Sequence, residues 1–207
     1  NNYVGILNAG GSESGQGDDH LYGYGLCDWY EEYGGSSALD AINNIAVFLA
    51  AHDKYTTSSV GDSFLNGNDQ RRWPRYLWTI VRCSEVLTNA GHTGAAAAAV
   101  TMNGVIDRVL QMGNWNAHGF MEMGQTYTDD RIDAGVPNYA AGTRICGQFH
   151  MGIMSNALWN TWRVMTANGD TTRALLAAQR LVGLAGFFRD IPLIGSTGAA
   201  TSSAGFI

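Results

Sequence analysis

Apolar positions recur at three- and four-residue intervals in successive stretches, and glycines separate those stretches. From Ser36 onward, Leu39, Ile42, Ala46 and Leu49 fall on one helical face. Ser36 or Ser37 supplies the N-cap. Pro74 opens a further helix, where a missing N–H costs nothing. Leu77, Ile80, Val81, Ser84 and Leu87 form its stripe, which stops at Asn89-Ala90-Gly91. Residues 95–110 begin with a run of five alanines, of high helix propensity, and carry Met102, Val105, Ile106 and Val109 further on. Residues 145–166 read as a long helix that Gly169 ends. Asp170-Thr171-Thr172 caps a last helix reaching about residue 188. Residues 20–33, interrupted only by glycines, read as a helix ahead of Gly34-Gly35.

Between these stretches the chain is polar and rich in breakers. Residues 1–19 read as an extended arm, 56–73 as a polar loop and 191–207 as an irregular tail. Residues 112–144 form a long Gly/Asn/Asp-rich loop with Pro137 and one short helix near 120–127. The helices repeat as a helix, a glycine-terminated tight turn and a second helix. The units lie at about 20–53, 74–111 and 145–189, within one domain spanning 20–190. A 56-residue offset aligns Leu21 with Leu77, Cys27 with Cys83 and Gly35 with Gly91. The third unit lies 78 residues beyond the second, because of the 112–144 insertion. Short turns between paired helices imply antiparallel α-hairpins, and hairpins in series stack to cover their apolar faces. The expected fold is all-α: successive antiparallel α-hairpins forming a solenoid, a helical bundle or a partial (α/α) toroid. The spacing is too irregular for the 33- and 34-residue repeat families.

The first helix of each unit is aromatic: Tyr22, Tyr24, Trp29 and Tyr30; then Trp73, Tyr76 and Trp78; then Trp159 and Trp162. The stretches HLYGYGLCDWYEEYGG and HMGIMSNALWNTWRVMTANGD resemble the helix-plus-turn units of (α/α) toroid enzymes acting on polysaccharides. Those include alginate-lyase-like and heparinase-like lyases and several glycoside hydrolase families. The resemblance covers roughly residues 18–190 and is one of pattern, without a family-defining catalytic motif. It implies a polysaccharide-active domain, extracellular or at the cell surface, lyase rather than hydrolase, on an acidic polysaccharide. In such lyases an Asn or His neutralises the uronate carboxylate, a His or Tyr takes the C5 proton and a Tyr donates to the leaving oxygen. On this sequence the candidates are Asn116, His118, Tyr127, Tyr139 and Arg144, with Trp115 stacking on a sugar face. The bland alternative is that Trp115 and Phe120 pin the loop to the core while Asn116 makes turn hydrogen bonds.

Composition narrows the remaining classes. The chain has 207 residues, of which 14% are charged, and a net charge of −6, which leaves no basic surplus for nucleic acid. No apolar run approaches the roughly 20 residues of a membrane span. Eleven of the twelve basic residues are Arg and one, Lys54, is Lys. Arg71, Arg72 and Arg75 around Trp73 are candidates for gripping a carboxylated sugar, Arg72 and Trp73 foremost. A solvated helix start with cation–π packing explains them equally well. Asp129, Asp130 and Asp133 match the DDxxD of terpene synthases, but Gly135 and Pro137 follow at once and no second metal motif appears. They are better read as a solvated acidic turn, with a calcium site as the alternative. Asp18 and Asp19 suit capping of the first helix, and His150 a hydrogen-bonded core position. No other cofactor is implied.

Cys27, Cys83 and Cys146 are an odd number with no CxxC. They read as small buried hydrophobes, with a Cys27–Cys83 bridge as the alternative. The chain begins at Asn1 rather than Met, and three hairpins are about half of a six-hairpin ring. It is therefore expected to be part of a longer chain or of an assembly of copies. The competing function is a non-catalytic structural or interaction module of a larger surface protein, or of a viral or filamentous assembly.

Overall fold

The computed structural model describes residues 23–51, 72–111 and 148–190. Among the described residues there are six helices and no strand, so the fold is all-α. They are α1 (Gly23–Tyr33), α2 (Ser36–Ala51), α3 (Arg72–Asn89), α4 (Ala95–Gln111), α5 (Gln148–Ala167) and α6 (Thr171–Asp190). The sequence placed the opening of α3 at Pro74, but the helix begins two residues earlier. Pro74 still lies in the first turn, where backbone N–H groups have no intrahelical partner.

The turns follow from glycine. Gly34, Gly91 and Gly169 sit at φ of 70°, 64° and 75°, the left-handed region that a side chain disfavours. After α3, the N–H of His92 donates to Leu87 C=O at 2.9 Å and that of Gly91 to Thr88 C=O at 3.1 Å. After α5, Asp170 N–H donates to Met165 C=O at 2.9 Å and Gly169 N–H to Thr166 C=O at 3.1 Å. Both are Schellman motifs, spaced by the 78 residues that the sequence offset gave. Asp170 then caps α6: its Oδ1 accepts from the Arg173 N–H at 3.1 Å, while its Oδ2 accepts from Nη1 of Arg173 at 2.5 Å. Asp170→Ala is expected to lower stability by about 1 kcal/mol, read as a shift in the urea midpoint with an unchanged slope.

The helices pack in two rows. α1, α3 and α5 touch in that order, as do α2, α4 and α6, and each odd-numbered helix also packs on the even-numbered one that follows it. Residues 56 apart lie level on α1 and α3: Cys27 Sγ is 3.8 Å from Cys83 Sγ. One turn earlier, a Cβ on Gly23 would come within 2.6 Å of Cγ2 of Thr79. Residues 78 apart lie level on α3 and α5, where Arg163 meets Glu85. Two successive contacts at the 56-residue offset make α1 and α3 run the same way, and residues at both sequence offsets are spatial neighbours.

Every apolar stripe read from sequence lies inside. Ile42, Leu49, Leu77, Ile80, Ile106 and Val109 are fully or almost fully buried, and Leu39 is half-buried against them. α3 is the hub: between Pro74 and Leu87 only Trp78 and Glu85 are other than buried. A helix enclosed on all sides is normally apolar all round. This one carries Arg75, Arg82 and Glu85, so its enclosure depends on how those charges are matched.

Candidate functional site

Two of the charges of α3, Arg82 and Glu85, are matched from the neighbouring helices α1 and α5. Arg82, whose side chain is only 8% exposed, donates through Nη2 to Asp28 of α1 at 2.9 Å and also to Glu31, and through Nη1 to Glu85. Glu85 in turn accepts from both Nη atoms of Arg163 on α5, the Nη2 bond measuring 2.6 Å. Arg163 Nη2 also reaches Asn160 Oδ1 at 3.4 Å. Two guanidiniums and three carboxylates thus bridge the whole first row, α1 to α3 to α5. The second row has a smaller counterpart. Arg173 of α6 forks onto Asp107 of α4 at 2.6 and 2.7 Å, a bidentate geometry, while holding its own capping residue Asp170. Arg180 donates to Leu110 C=O at 3.1 Å, satisfying a carbonyl near the end of α4.

Electrostatics fix what the first-row cluster can do. Burial alone pushes the Glu85 carboxyl up. The hydrogen bonds and positive charge of Arg163 and Arg82 outweigh it and hold Glu85 below the ordinary carboxylate range. A general acid needs the opposite shift. With both arginines engaged by carboxylates, the cluster is a clamp between helices rather than an acid–base pair. A carboxylate lowered in the folded state adds stability above its unfolded pKa, and that stability is lost as pH falls through the folded value. Asp170 is lowered too, by the Arg173 N–H and guanidinium. The melting temperature is expected to be level from about pH 8 to about pH 5 and to fall below about pH 4. In Glu85→Gln the acid fall is expected to be shallower, as read by circular-dichroism melts across pH.

Aromatic rings flank the clamp. Trp29 follows Asp28 on α1 and is 49% exposed, and its ring tilts against Tyr33 with centroids 5.4 Å apart. Trp159 stands one turn before Arg163 on α5 and is 50% exposed, its ring tilted against Trp162 at 4.8 Å. Tyr24 of α1 also stacks on Trp78 of α3 at 3.9 Å with planes 2° apart. The first row therefore carries aromatic rings on each of its three helices.

Most candidates read from sequence fall outside the described residues or side chains. Arg72 and Trp73 fall in the first turn of α3, and His150 in that of α5, with side chains outside the described ones. Trp115, Asn116, His118, Tyr127, Tyr139, Arg144 and the acidic Asp129, Asp130 and Asp133 lie outside the described residues, as do Asp18, Asp19, His20 and Cys146. Among the described residues no group of three His, Cys, Asp or Glu could hold a metal ion, and no helix is long and apolar enough to cross a membrane. Sequence reasoning passed over Arg82, Glu85, Arg163, Asp28 and Glu31. The signal was available: laying the units over one another at the 78-residue offset sets Glu85 against Arg163, opposite charges on neighbouring helices. The sequence of the chain matches no family model and no curated protein, and its fold matches no solved structure.

Proposed function

We propose that the chain is an arc of antiparallel α-hairpins of the (α/α) toroid kind, and that its first-helix row holds a polysaccharide. The observation that carries this reading is the pair of half-exposed tryptophans, Trp29 and Trp159, each backed by a second ring on the same row of helices. Flat rings with an apolar face and partial exposure are surfaces on which sugar faces stack. The two-row packing, with level offsets of 56 and 78 residues, supports the hairpin array. The charge of the row bears on which polymer. Trp29 stands beside the exposed Asp28, Glu31 and Glu32, and carboxylates there repel a polyuronate. Arg82 and Arg163 are engaged within the protein. A neutral glycan fits this surface better than an acidic one.

The lyase reading, with an acidic polysaccharide and the Asn116, His118, Tyr127, Tyr139 and Arg144 set, rests on the resemblance to (α/α) toroid enzymes and on the aromatic, His/Asn-bearing 112–144 segment. Affinity electrophoresis of the full chain in gels containing a neutral glucan, a neutral mannan or a polyuronate separates the readings. Retardation by a neutral glycan, lost in Trp29→Ala and Trp159→Ala, is the expected result. Retardation by the polyuronate alone, with release of unsaturated product that Asn116→Ala and His118→Ala abolish, would replace it with the lyase. Free migration in all three gels would leave the non-catalytic interaction module as the better reading.

A further inference from the structure

We infer that Cys27 and Cys83 are a disulfide-forming pair that closes when the chain folds under oxidising conditions, locking α1 onto the hub helix α3. Both residues are fully buried and carry free thiols, with Sγ atoms 3.8 Å apart. A bond needs the sulfurs at about 2.05 Å, a distance that side-chain rotation reaches only when the backbones are already close. They are close: one turn away, a Cβ on Gly23 would collide with Thr79 and press on Ile45. The level pairing of α1 with α3 makes the two cysteines direct neighbours across that junction. The same junction is held at its outer side by the bonds of Arg82 to Asp28 and Glu31, so the register that the bridge requires exists without it.

The chemistry balances with a low-molecular-weight disulfide such as oxidised glutathione as oxidant. The thiolate of one cysteine attacks the disulfide, giving a mixed disulfide and releasing one thiol. The thiolate of the second cysteine displaces the other thiol and forms the S–S bond. The protein gives up two electrons and two protons, and the oxidant becomes two thiols. Neither sulfur is reachable from solvent in the packed fold, and the hydrogen bond with Cys27, together with burial, pushes the Cys83 thiol well above its ordinary range. The exchange therefore belongs to folding, before α1 packs, and the finished bond is shielded from reductants.

The test is to refold the full chain from urea with a mixture of reduced and oxidised glutathione, or with dithiothreitol, then block free thiols in denaturant and map the peptides by mass spectrometry. The expected result is a Cys27–Cys83 cross-linked peptide from the glutathione sample alone. Its melting temperature should be higher by on the order of 5 °C or more, and dithiothreitol should open the bond slowly in the native chain and fast in urea. In Cys83→Ala, and separately in Cys27→Ala, the difference between oxidised and reduced samples should vanish. Recovery of both thiols free after oxidative refolding, or of Cys146 cross-linked to either one, would overturn the pairing.

Discussion

Replacing Arg82 by Met is expected to cost about 3 kcal/mol of stability. The change keeps length and apolar stem while removing the guanidinium that three carboxylates share. The cost is unequal among those carboxylates. Asp28 and Glu31 are solvent-exposed and regain water when Arg82 is lost, so each contributes little. Glu85, 13% exposed, keeps only Arg163, and its desolvation is then half compensated. Most of the loss belongs to Glu85, so Arg82→Met combined with Glu85→Met is expected to recover part of it. A double-mutant cycle by urea denaturation measures this, with a favourable Arg82–Glu85 coupling as the expected sign. Additive single effects would show that the network is incidental to the packing of α3.

Truncating Ile80 to Ala is expected to cost about 3–4 kcal/mol, from lost burial and a cavity that neighbours cannot close. Ile80 is fully buried on the hub helix, whose neighbours α1, α2, α4 and α5 all press on it. Collapse at one side would open a gap at another. Val182 on α6 is 71% exposed, and Val182→Ala is expected to fall within about 0.5 kcal/mol of the parent. The contrast, read from urea midpoints, checks that stability is concentrated in α3 rather than spread evenly along the array.

The helices themselves were legible because local chemistry determines them. Glycines that must adopt left-handed backbone mark the ends of α1, α3 and α5, Asp170 marks the start of α6, and the stripe from Leu77 to Leu87 is buried as read. The offsets of 56 and 78 residues were legible too, and they turned out to be distances across helix junctions. What the pattern hid was the enclosure of α3. Arg75 reads as part of a solvated helix start and Arg82 carries no signal of its own, yet both are buried, and two of the carboxylates that receive Arg82 come from 51 and 54 positions away. Residue type alone carries no trace of such a partnership. For the candidate site the bias ran the other way. His118, Asn116 and the tyrosines of the 112–144 loop attract a catalytic reading because those residue types move protons or neutralise charge. Half-exposed tryptophans stand on α1 and α5, where the sequence showed only a resemblance in pattern.

The low charge content also takes on a physical meaning. Arg82, Arg163 and Arg173 join helices that are far apart in sequence: α1 to α3, α3 to α5 and α4 to α6. Arg suits that use better than Lys, because its planar fork meets a carboxylate at two points, as Arg173 does with Asp107.

The reading of the first-helix row as a sugar-binding surface is tested most directly by isothermal titration of the chain with soluble neutral oligosaccharides. The parent should bind, and the Trp29→Ala, Trp159→Ala double variant should bind at least about tenfold more weakly with an unchanged urea midpoint. Equal affinity in parent and double variant, or no heat with any neutral glycan, would contradict it.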